Sequence, residues 1–190
     1  MNSSRTGINI LRHHRLYVSS LLTVSLALLV TISSPSYAKG VYLEPVTFIN
    51  DVFAGQPPAP DKLTLSGKLA QEVKEILEHR YKKIRLAYWR DEHRTAWILE
   101  EIGKERPITA GFVVENDKIE DFKVLIFRES RGWEIRNEFF TRQFTGAYLQ
   151  TNTRLNQRID NITGATMSVN AMKKLSRMAL LLHNHVIEKQ

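Results

Sequence analysis

Four strand-like runs, arranged as two consecutive hairpins, constrain this chain more than any other feature of its sequence. KKIRLAYWRDEHRTAWILEEIG, residues 82–103, places two β-rich runs of about seven residues on either side of Asp91, Glu92 and His93, which predicts a hairpin. A second pair follows at once: ITAGFVVE, the turn Asn116-Asp117, then KIEDFKVLIF, where Ile119 and Phe122 give way to an almost continuous apolar stretch. Strands this close together in sequence pair antiparallel, because a parallel pair needs a long crossover.

Such a sheet needs cover, and two segments can supply it. Leu69, Val73, Ile76 and Leu77 fall on one stripe at helical spacing, predicting a helix from a Ser66 cap to about Arg80. Near the carboxyl end Met172, Leu175, Met178, Ala179 and Leu182 share one face of a longer helix, with Lys173, Lys174 and Arg177 elsewhere on it. The expected fold class is therefore α+β, a twisted and mainly antiparallel sheet with packed helices. Between sheet and last helix, ESRGWEIRN (129–137) reads as a loop, and FFTRQFTG sets Phe139, Phe140 and Phe144 at short-helix spacing ended by Gly146. Residues 39–65, with the proline-rich AGQPPAPDK, show no helical or strand period and read as an extended surface segment that runs along or wraps the domain.

The amino-terminal residues 1–38 read as a secretory signal. Arg5, Arg12 and Arg15 precede the apolar LLTVSLALLV, and Ser36 and Ala38 stand where a cleavage site has small residues. The apolar part from Leu21 to Ile32 is 12 residues long, short of the roughly 20 that a membrane-spanning helix takes; an uncleaved anchor is the alternative. With no Arg-Arg pair, the expectation is export of an unfolded chain to the periplasm or another extracytoplasmic space, with any cofactor added there. Cleavage leaves 152 residues, enough for one domain with its own core, expected over 66–190. The absence of Cys excludes disulfides, thiolate metal sites, iron–sulfur clusters and covalent c-type haem. The 24 basic and 20 acidic residues that remain are interspersed, so the surface reads as solvated and no nucleic-acid partner is expected.

The stretch with the most chemistry is IDNITGATMS, residues 159–168, directly ahead of the last helix. A helix start presents unpaired N–H groups and a partial positive charge of about +0.5, which favour an anion such as phosphate. Gly164 and Ala165 permit close approach, and Thr163, Thr166 and Ser168 bring hydroxyls that can donate to a phosphate oxygen or be esterified to one. The plainer alternative is that Thr166 or Ser168 is an ordinary N-cap, worth typically ~1 kcal/mol. Capping needs only one of them.

Asp160-Asn161-Ile162-Thr163-Gly164-Ala165-Thr166 resembles the flavinylation motif of FMN-binding domains, an Asp followed by Ser/Thr-Gly-Ala-Thr, as in the C subunit of the sodium-pumping NADH:quinone oxidoreductase and the G subunit of the Rnf complex. GFVVENDKIEDFKVLIFRES looks like the family's strand pair and FTRQFTG like its Phe-x-x-Gln-Phe-x-Gly segment, so the resemblance covers roughly residues 107–187. It implies a single FMN-binding domain in which Thr166 carries FMN as a phosphoester, installed outside the cytoplasm by a flavin transferase that cleaves FAD with magnesium. Thr163, Gly164, Ala165 and Ser168 would shape the site, and Asp160 would be read by the transferase. Arg158 and Lys173 would help balance the phosphate, although isolated basic residues beside a helix are commonly just solvated.

One loop departs from the family pattern. Where many members read His-x-Glu-Thr-Pro-Gly-x-Gly, this chain has Phe127-Arg128-Glu129-Ser130-Arg131-Gly132-Trp133-Glu134, which keeps Glu129 and Gly132 only. Glu129, Gly132 and Trp133 are candidates for contact with the flavin, Trp133 by stacking or, equally, as a loop anchor. The other candidates point elsewhere: His183 and His185 lie on different sides of a helix, His93 falls in a turn, and Trp89 and Trp97 read as core. No serine elbow or carboxylate pair suggests hydrolysis, so an electron carrier fits better than a substrate-transforming enzyme. Its expected partners are a membrane or periplasmic reductase and an acceptor such as a cytochrome or quinone-linked complex. The alternative is a non-redox module that binds a phosphate-bearing ligand reversibly.

Overall fold

A computed structural model describes residues 40–188; the segment read as a signal lies outside them. Five strands, β1 (Asp61–Thr64), β2 (Arg85–Asp91), β3 (Arg94–Ile102), β4 (Pro107–Glu115) and β5 (Lys118–Phe127), form one antiparallel sheet in sequence order. The two expected hairpins are present. Glu115 pairs with Lys118 across Asn116 and Asp117, both at positive φ (50° and 63°), the turn whose twist matches the strands it joins.

The continuous apolar run of β5 has a specific geometric reason. Val114 pairs with Ile119 but Val113 with Asp121, and Ala110 pairs with Val124 but Thr109 with Ile126, so β5 carries two extra residues. Each bulge reverses the alternation of side chains. Ile119, Phe122, Val124 and Phe127 thus all join the larger core, while Leu125 turns to the opposite face.

That larger core is covered by α2 (Gly67–Leu77) and α4 (Thr166–Ile187). Met172, Leu175, Met178, Ala179 and Leu182 of α4 are fully buried, as their spacing predicts; burying each of the larger ones contributes about 1.5–3 kcal/mol. Helix α2 ends at Leu77 rather than near Arg80, because Glu78 turns left-handed (φ 69°). Lys174 of α4 fixes this end, donating to the Leu77 carbonyl at 2.9 Å and to Glu78 at 2.6 Å.

Phe140 and Phe144, from α3 (Glu138–Thr141) and the helical turn after it, stack edge-on with Phe122, which lies parallel to Phe112 at 4.9 Å. Phe139, of the same expected cluster, instead faces solvent, 59% exposed. These rings anchor the 129–147 segment on the sheet.

Residues 39–65 differ from expectation. Their described part contains α1 (Pro45–Val52) and strand β1, so the fold begins before Ser66. Helix α1 lays Phe48 and Ile49 on the second sheet face against Ala96, Val113 and Leu125. Gly111 makes room there, since a Cβ at that position would sit 2.5 Å from the Phe48 ring.

Candidate functional site

Three segments meet where α4 begins: the β3–β4 turn, the loop after β5, and Gly164–Ser168. Glu129 ties the first two together. Its Oε1 accepts hydrogen bonds from the backbone N–H groups of Lys104 (2.6 Å), Glu105 (2.7 Å) and Arg106 (2.9 Å). Burial pushes this carboxyl's pKa up, but the three N–H groups and Lys104 outweigh it, so the group stays ionised below the usual carboxylate range.

The third contact depends on missing side chains. A Cβ on Gly103 would lie 2.9 Å from Glu129 Oε1 and 3.4 Å from Ser168 Oγ. A Cβ on Gly132 would lie 3.1 Å from the Ala165 Cβ and 3.3 Å from Ser168 Oγ, and its φ of 84° is itself a conformation that side chains resist. Both loops can therefore press onto the start of α4.

Ala165, not Thr166 or Ser168, is the N-cap of α4, and no side chain caps the helix. Thr166 is the first helical residue and exposed, while Ser168 is buried at 4% exposure beneath the two glycine positions. The N–H groups of Thr166, Met167 and Ser168 belong to the first turn and have no intrahelical acceptor. They adjoin a cavity of about 580 Å³ lined by Lys104, Glu105, Glu129–Arg131 and Gly164–Ser168.

A phosphate group fits this donor set. Free first-turn amides, the positive helix end, a hydroxyl not engaged in capping, and the Lys104 and Arg131 side chains share one cavity. Among the described residues Lys104 forms an ion pair with its exposed neighbour Glu105 at 3.6 Å, and Arg131 forms none. Of the two acids in the lining, Glu129 is already saturated by backbone donors at one oxygen.

The other sequence candidates lie around this centre in different roles. Thr163 is exposed in the loop just before the cavity-lining residues. Asp160 is exposed, 3.3 Å from Arg158, and off the cavity. Its backbone N–H donates to Gln143 Oε1 at 2.7 Å, so the glutamine of FTRQFTG holds the start of the motif loop. Gly132 touches the helix start without lining the cavity. Trp133 is 44% exposed and absent from the lining; Arg136 lies between it and Tyr42, 5.0 Å from the Trp133 ring and 4.0 Å from the Tyr42 ring. That placement gives Trp133 a cation partner within its own loop.

Sequence reasoning passed over Lys104, Arg131 and Met167. The first two come from separate loops that only the sheet brings together. Met167, 54% exposed at the rim, directly follows the motif and offers an apolar surface that a flat ring can cover.

His183 is fully buried in the core, where its Nδ1 lies 2.8 Å from Thr95 Oγ1, which also accepts the Trp97 indole N–H at 2.8 Å. Asp117, 3.5 Å from Nε2, favours the proton there, leaving Nδ1 to accept from the Thr95 hydroxyl. Trp97 is likewise fully buried, and His93 is exposed in its turn.

Comparison with known proteins agrees with the geometry. Residues 103–181 match the model of the FMN-binding domain family, a span that begins at the β3–β4 turn and so includes all three segments that meet at the cavity. Among curated proteins, none matches the chain. On the matched span and the phosphate-compatible start of α4, the chain carries an FMN-binding domain over residues 103–181.

Proposed function

We propose that this flavoprotein carries FMN covalently on Thr166 and relays electrons outside the cytoplasm. The observation that carries the reading is the position of Thr166: an exposed hydroxyl at the first residue of a helix that Ala165 caps, in a cavity with two cations. In attachment, Thr166 Oγ1 bonds to the flavin-side phosphorus of FAD as the pyrophosphate bond breaks. AMP leaves, and the hydroxyl proton passes to a base on the transferase.

The flavin supplies the redox chemistry, and the protein supplies position and charge. The amides of Thr166–Ser168 with Lys104 and Arg131 hold the phosphate end, and Met167 offers the apolar rim. Glu129 fixes the turn that carries Lys104. Tethering suits an exported carrier, since a dissociated cofactor is lost to dilution while a tethered one rebinds at high effective concentration. The amino-terminal sequence supports export, and the match to the FMN-binding domain family supports a relay between a reductase and an acceptor. Asp160, solvent-facing on the motif loop, suits recognition by the transferase.

Mature protein produced with the transferase should fluoresce as flavin on a denaturing gel. Thr166→Ala should abolish that band, while Ser168→Ala should keep it, because Ser168 is buried under Gly103 and Gly132. A dark wild-type band from protein that still releases FMN on denaturation would replace covalent carriage with reversible binding.

A further inference from the structure

On the far side of the motif loop lies a second cavity, of about 390 Å³, on which Arg154, Arg158, Lys173 and Arg177 converge beside Asn161. Few acids answer them. Asp160 pairs with Arg158 across 3.3 Å, but both side chains are largely exposed, so the pair contributes little. Glu78 is engaged by Lys174 at 2.6 Å. Arg177 is held in place by the Thr153 carbonyl, 2.6 Å from its Nε.

The cations also disfavour one another. Burial lowers the Lys173 pKa and Arg158 lowers it further. For Arg177 burial again leads, and Arg154 adds to it against the opposing pull of Glu78. An incoming anion would relieve both.

The cluster is in register with the attachment residue. Thr166, Asn170, Lys173 and Arg177 follow one another at i, i+4, i+7 and i+11, which is one stripe of α4. Seven residues of helix put Lys173 about 10 Å along the axis from Thr166. A protein that docks through a standard footprint of about 800 Å², drawn as a disc centred on Thr166, reaches about 16 Å in every direction. An enzyme whose footprint is centred on the Thr166 hydroxyl therefore covers Lys173 and reaches the edge of the cluster that Lys173 shares with Arg154, Arg158 and Arg177.

We propose that the cluster of Arg154, Arg158, Lys173 and Arg177 is the docking surface for an acidic face of the flavin transferase. The proposal rests on Thr166 being the attachment point. The cluster steers the encounter and sets the orientation, and it takes no part in the chemistry at Thr166.

The test is the initial rate of flavin incorporation at saturating FAD and magnesium, with carrier concentration and ionic strength varied. For the unmodified protein kcat/KM should fall as salt rises. Arg154→Glu/Lys173→Glu should lower kcat/KM at low salt by about tenfold or more and flatten the salt dependence, with kcat changed far less. Arg154→Gln/Lys173→Gln should fall between. Lys62→Glu/Lys123→Glu, with the same change in net charge on other parts of the surface, should match wild type. Full labelling of each variant after long incubation shows that it is folded.

Equal kcat/KM in the reversed variant and wild type, or a wild-type rate indifferent to salt, overturns the docking surface while leaving attachment intact. Wild-type protein that acquires no flavin from active transferase overturns attachment itself, and the docking proposal with it.

Discussion

The two faces of the sheet are covered by unequal means. On one, α4 spans 22 residues and joins α2 and the Phe140–Phe144 pair over a core that includes Trp97, Phe112 and Phe122. On the other, α1 has 8 residues, and its cover depends on Phe48, Ile49 and Phe53. The contrast shows how the site is held. A helix start is a fixed donor array only if the helix cannot shift, and the thick face supplies that rigidity over five turns of buried side chains. The thin face closes the sheet and contributes no residue to the cavity.

The largest expected effect falls on the thin face. Phe48→Ala should cost about 3–5 kcal/mol, measured by denaturant unfolding, since it empties the pocket that Gly111 opens. Loading of the folded fraction at Thr166 should proceed at the wild-type rate; a slowed rate well below the unfolding midpoint would show that the faces are coupled.

On the thick face, Glu129→Ala should show the opposite balance. The amides it satisfies are near solvent, so unfolding should report a loss of only about 1 kcal/mol. The Lys104 turn loses its tie, and flavin incorporation should slow several-fold. Glu129→Gln should recover part of the rate, because an amide oxygen can still accept from the turn.

The smallest effect is a pH dependence written into the thick core. Burial lowers the His183 pKa from its ordinary 6.5, opposed only in part by Asp117. The unfolded chain then binds a proton that the folded chain refuses, so the unfolded state gains as pH drops. Stability present above about pH 6.5 should be lost as the pH falls toward the lowered folded value. His183→Gln, followed by thermal melts across that window, should give a flatter profile than wild type.

The sheet and its larger helices were legible because their signals are local. Strand runs, two-residue turns and the apolar stripe of α4 lie within a few residues of one another. The bulges in β5 were visible only as an apolar run, since the extra residues show once Val113 and Thr109 are opposite. Helix α1 was missed although Pro45, Phe48, Ile49 and Val52 keep helical spacing, because two turns of helix are marginal without the sheet beneath them. The motif loop identified Thr163–Ser168 directly. Lys104, Arg131 and the tie through Glu129 needed contacts across more than 20 residues of chain, which no spacing rule encodes.

The outer margin of β5 is occupied by two separate pieces of the chain. Tyr42 and Leu43 donate to the Leu125 carbonyl and Phe127 donates to Gly40, while Ile119 exchanges hydrogen bonds with Ala147 and Gly146. At the opposite margin stands β1, only four residues long, charged at Asp61 and Lys62 and preceded by Pro57, Pro58 and Pro60. Neither border offers a long ladder of vacant amides and carbonyls to a strand from another molecule. Self-association would have to proceed through side-chain surfaces.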